Sequence, residues 1–264
     1  MELDDAYANG AHIAGAETYP PRWNEAAQAF RDSMEAQGRA RLGEAYGTGD
    51  RNRFDLFLPE GTPKGIVIFV HGGYWLNFDA STWSHLAVGP LAKGWAVALP
   101  SYDLCPSVRI SEITLQIAQV VQKIAETVQG PIALTGHSAG GHLVARMLAP
   151  EMLQPDVAER IAHVVPISPL ADLRPLLRTS MNENLRLDEA EAWAESPISQ
   201  PVPEVPATVW VGADERPAFL DQARWLAEAW ACDNVIVPGK HHFDVIDALA
   251  DPQDALVTTL TTPA

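Results

Sequence analysis

Apolar residues in this chain come in short unbroken runs, separated by longer stretches with helical spacing. The runs at 54–58, 66–70, 95–99, 132–135, 162–167, 208–211 and 235–237 read as strands. Between them, Ile113, Ile117, Val120, Val121, Ile124 and Val128 recur at 3.6-residue periodicity and fall on one face of a helix. A strand with one wet face alternates apolar with polar side chains, whereas a strand covered on both faces does not need to. Strands of the second kind, joined by helices through right-handed crossovers, predict a largely parallel sheet with helices on both sides, the α/β class.

Two regions break this rhythm. Residues 1–50 hold Pro20-Pro21, several glycines and one predicted helix over about 24–41, and read as a helical leader packed onto a core. Residues 169–205, rich in Pro, Asn and acidic side chains, read as a short cap or lid inserted between strands. No internal repeat or low-complexity tract is present, and 264 residues suit one α/β domain, so 1–264 is expected to share a single core.

Composition narrows the function classes. Hydrophobic residues make up 47% and charged residues 20%, which a folded soluble domain has and a disordered chain lacks. A formal net charge of −16, with no run of Lys or Arg, repels phosphate backbones and anionic lipid surfaces, so neither nucleic acid nor a membrane is an expected partner. Cys105 and Cys232 are far apart and form no CxxC pattern, so both read as buried thiols rather than as a disulfide or zinc site. The first residues are acidic without an apolar core, and no apolar stretch approaches the roughly 20 residues that cross a bilayer; the expected location is the cytoplasm.

The chemistry is carried by Gly136-His137-Ser138-Ala139-Gly140-Gly141, a G-x-S-x-G sequence between an apolar strand and the helical run at 143–148. A serine presented on a tight strand-to-helix turn needs small neighbours, because helix and strand backbones approach closely there. The α/β-hydrolase fold that uses this turn also takes oxyanion donors from the loop after an earlier strand. Here that loop is His71-Gly72-Gly73-Tyr74-Trp75, which assigns the backbones of Gly72 or Gly73 and of Ala139 as donors, with His71 as a brace. A serine hydroxyl also needs a base and an acid, in the chain order nucleophile, acid, histidine. His241 or His242 lies late enough to be the base, and Asp214 or Glu215, after the strand at 208–211, is the acid. His137 and His142 precede the acid and read as packing groups, while His12, His85 and His163 have no catalytic neighbours. Adjacent histidines cannot easily face one ion and no HExxH occurs, so neither a metal nor a cofactor is expected.

With these motifs in place, the sequence resembles the kynurenine formamidase (arylformamidase) type of α/β hydrolase, marked by an HGGxW loop at residues 71–75. The resemblance runs through Ser84-His85-Leu86-Ala87, through Tyr102-Asp103-Leu104-Cys105-Pro106 and Ile110-Ser111-Glu112-Ile113-Thr114, and through Asp172-Leu173-Arg174-Pro175-Leu176 with Asn182 and Leu185. It covers most of 54–248. It implies Ser138 as nucleophile and His242 as base, since a Phe-Asp pair follows His242. It implies Glu215 as acid, two positions before Pro217-Ala218-Phe219, where that family more often has Asp. The implied reaction is hydrolysis of N-formyl-L-kynurenine to formate and kynurenine, with Tyr74 and Trp75 flanking the aryl ring. A carboxylesterase acting on small acyl esters would use the same residues. The expected partner is a small-molecule substrate; the oligomeric state stays open between monomer and homodimer.

Overall fold

The computed structural model describes residues 1–150 and 152–262. Eight strands form one sheet: β1 (Ala40–Ala45), β2 (Arg53–Phe57), β3 (Ile66–Val70), β4 (Ala96–Pro100), β5 (Ile132–His137), β6 (Ile161–Ile167), β7 (Thr208–Gly212) and β8 (Asp233–Val237). Their order is β1-β2-β4-β3-β5-β6-β7-β8. The pairs β1–β2 and β2–β4 are antiparallel and the rest are parallel.

The unbroken apolar runs follow from this placement. Ile66, Ile68, Val70, Ala96, Ala98, Ile132 and Leu134 join one buried cluster, with the apolar face of the helix Ile110–Thr127. Val67, Phe69, Val97, Leu99 and Ala133 point the other way, into a second cluster with Trp23 and Met34 of the helix Tyr19–Ala36 and with Leu256 and Leu260 near the C-terminus. Successive strand residues thus enter opposite cores, each covered by helices. Each fully buried aliphatic side chain in them contributes roughly 1.5–3 kcal/mol. The helix Ile110–Thr127 begins where the Glu112 carboxylate accepts from the Arg109 N–H at 2.7 Å, satisfying a donor at the helix start.

The leader differs from expectation. Its helix runs from Tyr19 to Ala36, with Pro20 and Pro21 in the first turn, where a missing N–H costs nothing. Residues beyond it turn back as β1, an edge strand that is exposed along nearly its whole length and so carried no hydrophobic pattern. Cys105 is buried as expected, but Cys232 is only half-buried.

Residues 169–205 lie between β6 and β7 and carry short helical segments, among them Asn182–Leu185 and Glu189–Ala194. A buried ion pair fastens this segment: Glu195 meets Arg146 at 3.2 Å, accepts from Thr114 Oγ1 at 2.7 Å, and its backbone carbonyl is 2.8 Å from His142 Nε2. Glu191 adds contacts to Arg109 and Ser111.

Burial pushes the imidazoles of His71, His85 and His142 down to about 4 from 6.5. Below pH 6.5 the unfolded chain therefore binds more protons than the native one. The stability these groups confer is full above 6.5 and is lost as pH falls toward 4. Urea midpoints should drop on going from pH 7 to pH 4.5 by more than the error of the fit; unchanged midpoints would contradict the burial of these rings as neutral groups.

Candidate active site

Strand β5 ends at His137, the helix Ala139–Arg146 begins at once, and Ser138 between them sits at φ 57°, ψ −117°. That conformation is rare for a residue with a Cβ and is held only by its surroundings. The glycines make it attainable. A Cβ on Gly140 would stand 1.9 Å from the Val70 carbonyl oxygen, and one on Gly136 would stand 2.3 Å from that of Gly140. The Ser138 N–H is held by Ile167 O at 2.8 Å.

The loop after β3 is equally constrained. Gly73, Tyr74, Trp75 and Phe78 all have positive φ. A Cβ on Gly72 would lie 2.7 Å from His137 O and 3.0 Å from Ser138 Cβ, so only a glycine lets this backbone touch the serine. His71 Nδ1 donates to Gly72 O at 2.8 Å, its ring stacks on Tyr102 at 4.3 Å, and Tyr102 donates to His71 O. His71 is therefore a brace. Among the described residues, the N–H groups of Gly72, Gly73 and Ala139 have no backbone acceptor, leaving three donors beside Ser138.

His242 is placed by two loops that cross tightly. A Cβ on Gly212 would be 2.2 Å from Lys240 O, and Asp214 N donates to the same carbonyl at 2.9 Å. This brings His242 Nδ1 to 2.6 Å from Glu215 Oε2. The other Glu215 oxygen accepts from Gly212 N at 3.0 Å and from Ser168 Oγ. Phe219 and His137 flank the His242 ring at 4.4 and 4.5 Å between centroids. Burial drives His137 well below the ordinary imidazole range, so it stays neutral.

The alternatives separate cleanly. Asp214 is exposed to solvent. His241 is turned to the leader, with Nε2 3.0 Å from Tyr19 OH and Nδ1 accepting from Phe243 N. Ser168 had no signal in the sequence beyond its position after a strand; its φ of 46° and its N–H bond to Trp210 O fix it under Glu215.

Ser138, His242, Gly72 and Gly73 open into a cavity of about 320 Å³. Its walls are Tyr7, Pro20, Trp23, Tyr74, Phe78, Trp83, Met181 and Phe243, and among the described residues no Asp, Glu, Lys or Arg lines it. The leader supplies one whole side, which its sequence gave no means to foresee. Tyr74 lines the cavity. Trp75 does not: its ring is fully buried and packs edge-on against His142 at 5.0 Å. The expected contact of Trp75 with substrate is thus corrected to a core role. No group of His, Cys, Asp and Glu suited to a metal ion occurs among the described residues, nor does a helix long and apolar enough to cross a membrane.

A family profile described as alpha/beta hydrolase fold matches residues 67–238. Kynurenine formamidase of Salmo salar is 31% identical over 245 residues, covering 84% of this chain and 82% of that one. The Danio rerio kynurenine formamidase is 30% identical, with 81% and 78% covered. Among crystal structures, a "putative thioesterase" from Silicibacter sp. is 64% identical with a TM-score of 0.97, covering 99% and 100% of the two chains. Thermogutta terrifontis esterase 2, at 16% identity and a TM-score of 0.68 over 86% of this chain and 96% of that one, shares the fold. Sheet order, serine turn and these likenesses define an enzyme of the hydrolase class with the α/β-hydrolase fold. Within that class, the chain belongs to the kynurenine formamidase family.

The contrast between neighbouring carboxylates gives a direct check. Glu215→Gln should lower kcat by about 10³–10⁴, because the amide can favour the wrong imidazole tautomer, while Asp214→Asn should leave kcat within about twofold. Steady-state hydrolysis of p-nitrophenyl acetate reads both. Equal losses, or a loss confined to Asp214→Asn, would overturn the assignment.

Proposed function

We propose that this enzyme is a serine hydrolase cleaving aryl formamides, with N-formyl-L-kynurenine as substrate and formate and kynurenine as products. The observation that carries the reading is one cavity holding Ser138 on its strained turn, His242 paired to Glu215 at 2.6 Å, and unengaged N–H groups at Gly72, Gly73 and Ala139. With Nδ1 of His242 donating to Glu215, Nε2 is left to act as base. It takes the Ser138 proton as Oγ attacks the formyl carbon. The developing oxyanion is met by the free N–H groups, one such donor being worth about 10²–10³ in rate. His242 then protonates the leaving aryl amine, and water deprotonated by the same nitrogen releases formate from Ser138.

The cavity suits the flat, uncharged formanilide portion of this substrate. Its lack of charged lining makes burial of an amino-acid zwitterion costly, so that end belongs at the mouth, in water. A second reading, hydrolysis of small acyl esters or thioesters by the same groups, is favoured by the 64%-identical protein named for thioester cleavage.

Turnover of N-formyl-L-kynurenine, p-nitrophenyl acetate and a short acyl thioester by the wild type and by Ser138→Ala decides between them. The formamide should be cleaved with kcat/KM of about 10⁴ M⁻¹s⁻¹ or more, and Ser138→Ala should lose at least about 10³-fold on every substrate. Cleavage of esters alone would leave the mechanism and remove the formamidase reading. Wild-type rates for Ser138→Ala would remove both.

A further inference from the structure

Asn9 is the anomaly in the cavity wall. It is 6% exposed, its Oδ1 is buried without a hydrogen-bond partner, and it lines the same cavity as Ser138 and His242. An asparagine before a short helical turn ordinarily caps it. Here Asn9 precedes the turn Gly10–His12, yet its side chain makes no capping bond. The local structural reason for a carboxamide at this position is therefore missing, and a buried polar group left unpaired is destabilising.

The backbone around Asn9 is fixed from several sides. Leu3 N donates to Arg178 O, Ser180 N donates to Asp4 Oδ1, and Arg216 pairs with Asp5. Tyr74 OH donates to Tyr7 O at 2.6 Å, and Gln222 donates to Tyr7 OH at 2.9 Å. Residues 3–10 thus form a strap anchored beside the cavity, with Asn9 held rather than free to seek water. Tyr74 has already spent its hydroxyl, Asn77 is exposed, and neutral His137 lies against His242. Apart from the reacting groups and His137, the lining contributed by the described residues holds two buried side chains with an unpaired polar atom: Trp83, whose indole Nε1 can only donate, and Asn9, whose carboxamide can also accept.

Resting on the proposed aryl-amine chemistry, we propose that the Asn9 carboxamide is a specificity-determining contact that hydrogen-bonds the polar substituent of an uncharged aromatic leaving group. A carboxamide offers both a donor and an acceptor, so it can engage an aryl carbonyl or the N–H of an aryl amine. An apolar ring of the same size would gain the aromatic walls but leave Asn9 unpaired, which sets selection for ortho-substituted aryl amines over plain aryl groups.

Equilibrium binding tests this without requiring turnover. Kd values for 2′-aminoacetophenone and for ethylbenzene are measured by calorimetry on the full chain, as wild type, Asn9→Leu and Asn9→Ala. The leucine is near-isosteric and apolar, and retained ethylbenzene binding reports an intact cavity. Expected is a loss of about tenfold in affinity for 2′-aminoacetophenone in both variants, with ethylbenzene within about twofold of wild type. Unchanged affinity for 2′-aminoacetophenone, or equal loss for the two ligands in both variants, would overturn the proposal; the second result would make Asn9 a support for the strap. Wild-type turnover of N-formyl-L-kynurenine is recorded alongside. Its absence, with the Asn9 effect present, would remove the formamidase reading and keep the contact.

Discussion

Everything in this active site depends on backbones approaching closer than a β-carbon permits. Strand β3 and the helix after β5 meet at Val70 and Gly140, and the serine is forced outward between them into a conformation that an isolated chain would shun. The same device recurs at Gly72 against Ser138 and at Gly212 against Lys240. Three glycine crossings therefore set the positions of Ser138, of the loop 71–75 and of the Glu215–His242 pair relative to one rigid sheet. The two apolar cores on either side of that sheet hold the crossings closed, so packing far from the serine contributes to its geometry.

The electrostatics are partitioned in the same spirit. A chain with net charge −16 keeps charged groups out of its cavity lining. Glu215 is the buried exception next to it, with one oxygen on His242 and the other on Gly212 N and Ser168 Oγ. A carboxylate satisfied this fully tolerates burial and fixes the imidazole tautomer. Another buried carboxylate, Glu195 on Arg146, serves a different end, tying residues 169–205 to the helix that follows Ser138.

Features built from local rules were legible in the sequence. Glycine positions announced both site loops, and unbroken apolar runs announced a sheet covered on two faces. Chain order together with a family likeness singled out Glu215 and His242, which the structure pairs at 2.6 Å. Features built from long-range contact were not legible. Strand β1 is held by pairing at an exposed edge, Ser168 matters only through its reach to a residue 47 positions on, and Asn9 and Trp23 matter because the leader folds back over the serine. Trp75 shows the limit most plainly: the motif placed it at the site, but its indole packs in the core against His142 while Tyr74 faces the cavity.

The aromatic wall joins residues that leave the ribosome at very different times. Trp23 packs on Phe243 at 5.4 Å and Tyr19 on His241 at 5.5 Å, contacts that a nascent chain cannot make until residues 241–243 exist, whereas Trp23 on Trp83 at 4.7 Å can form earlier. A nascent chain already carrying Ser138 and residues 71–75 still lacks both His242 and the completed far wall of its cavity. The cavity around Ser138 is thus closed only when segments far apart on either side of the serine have both been made.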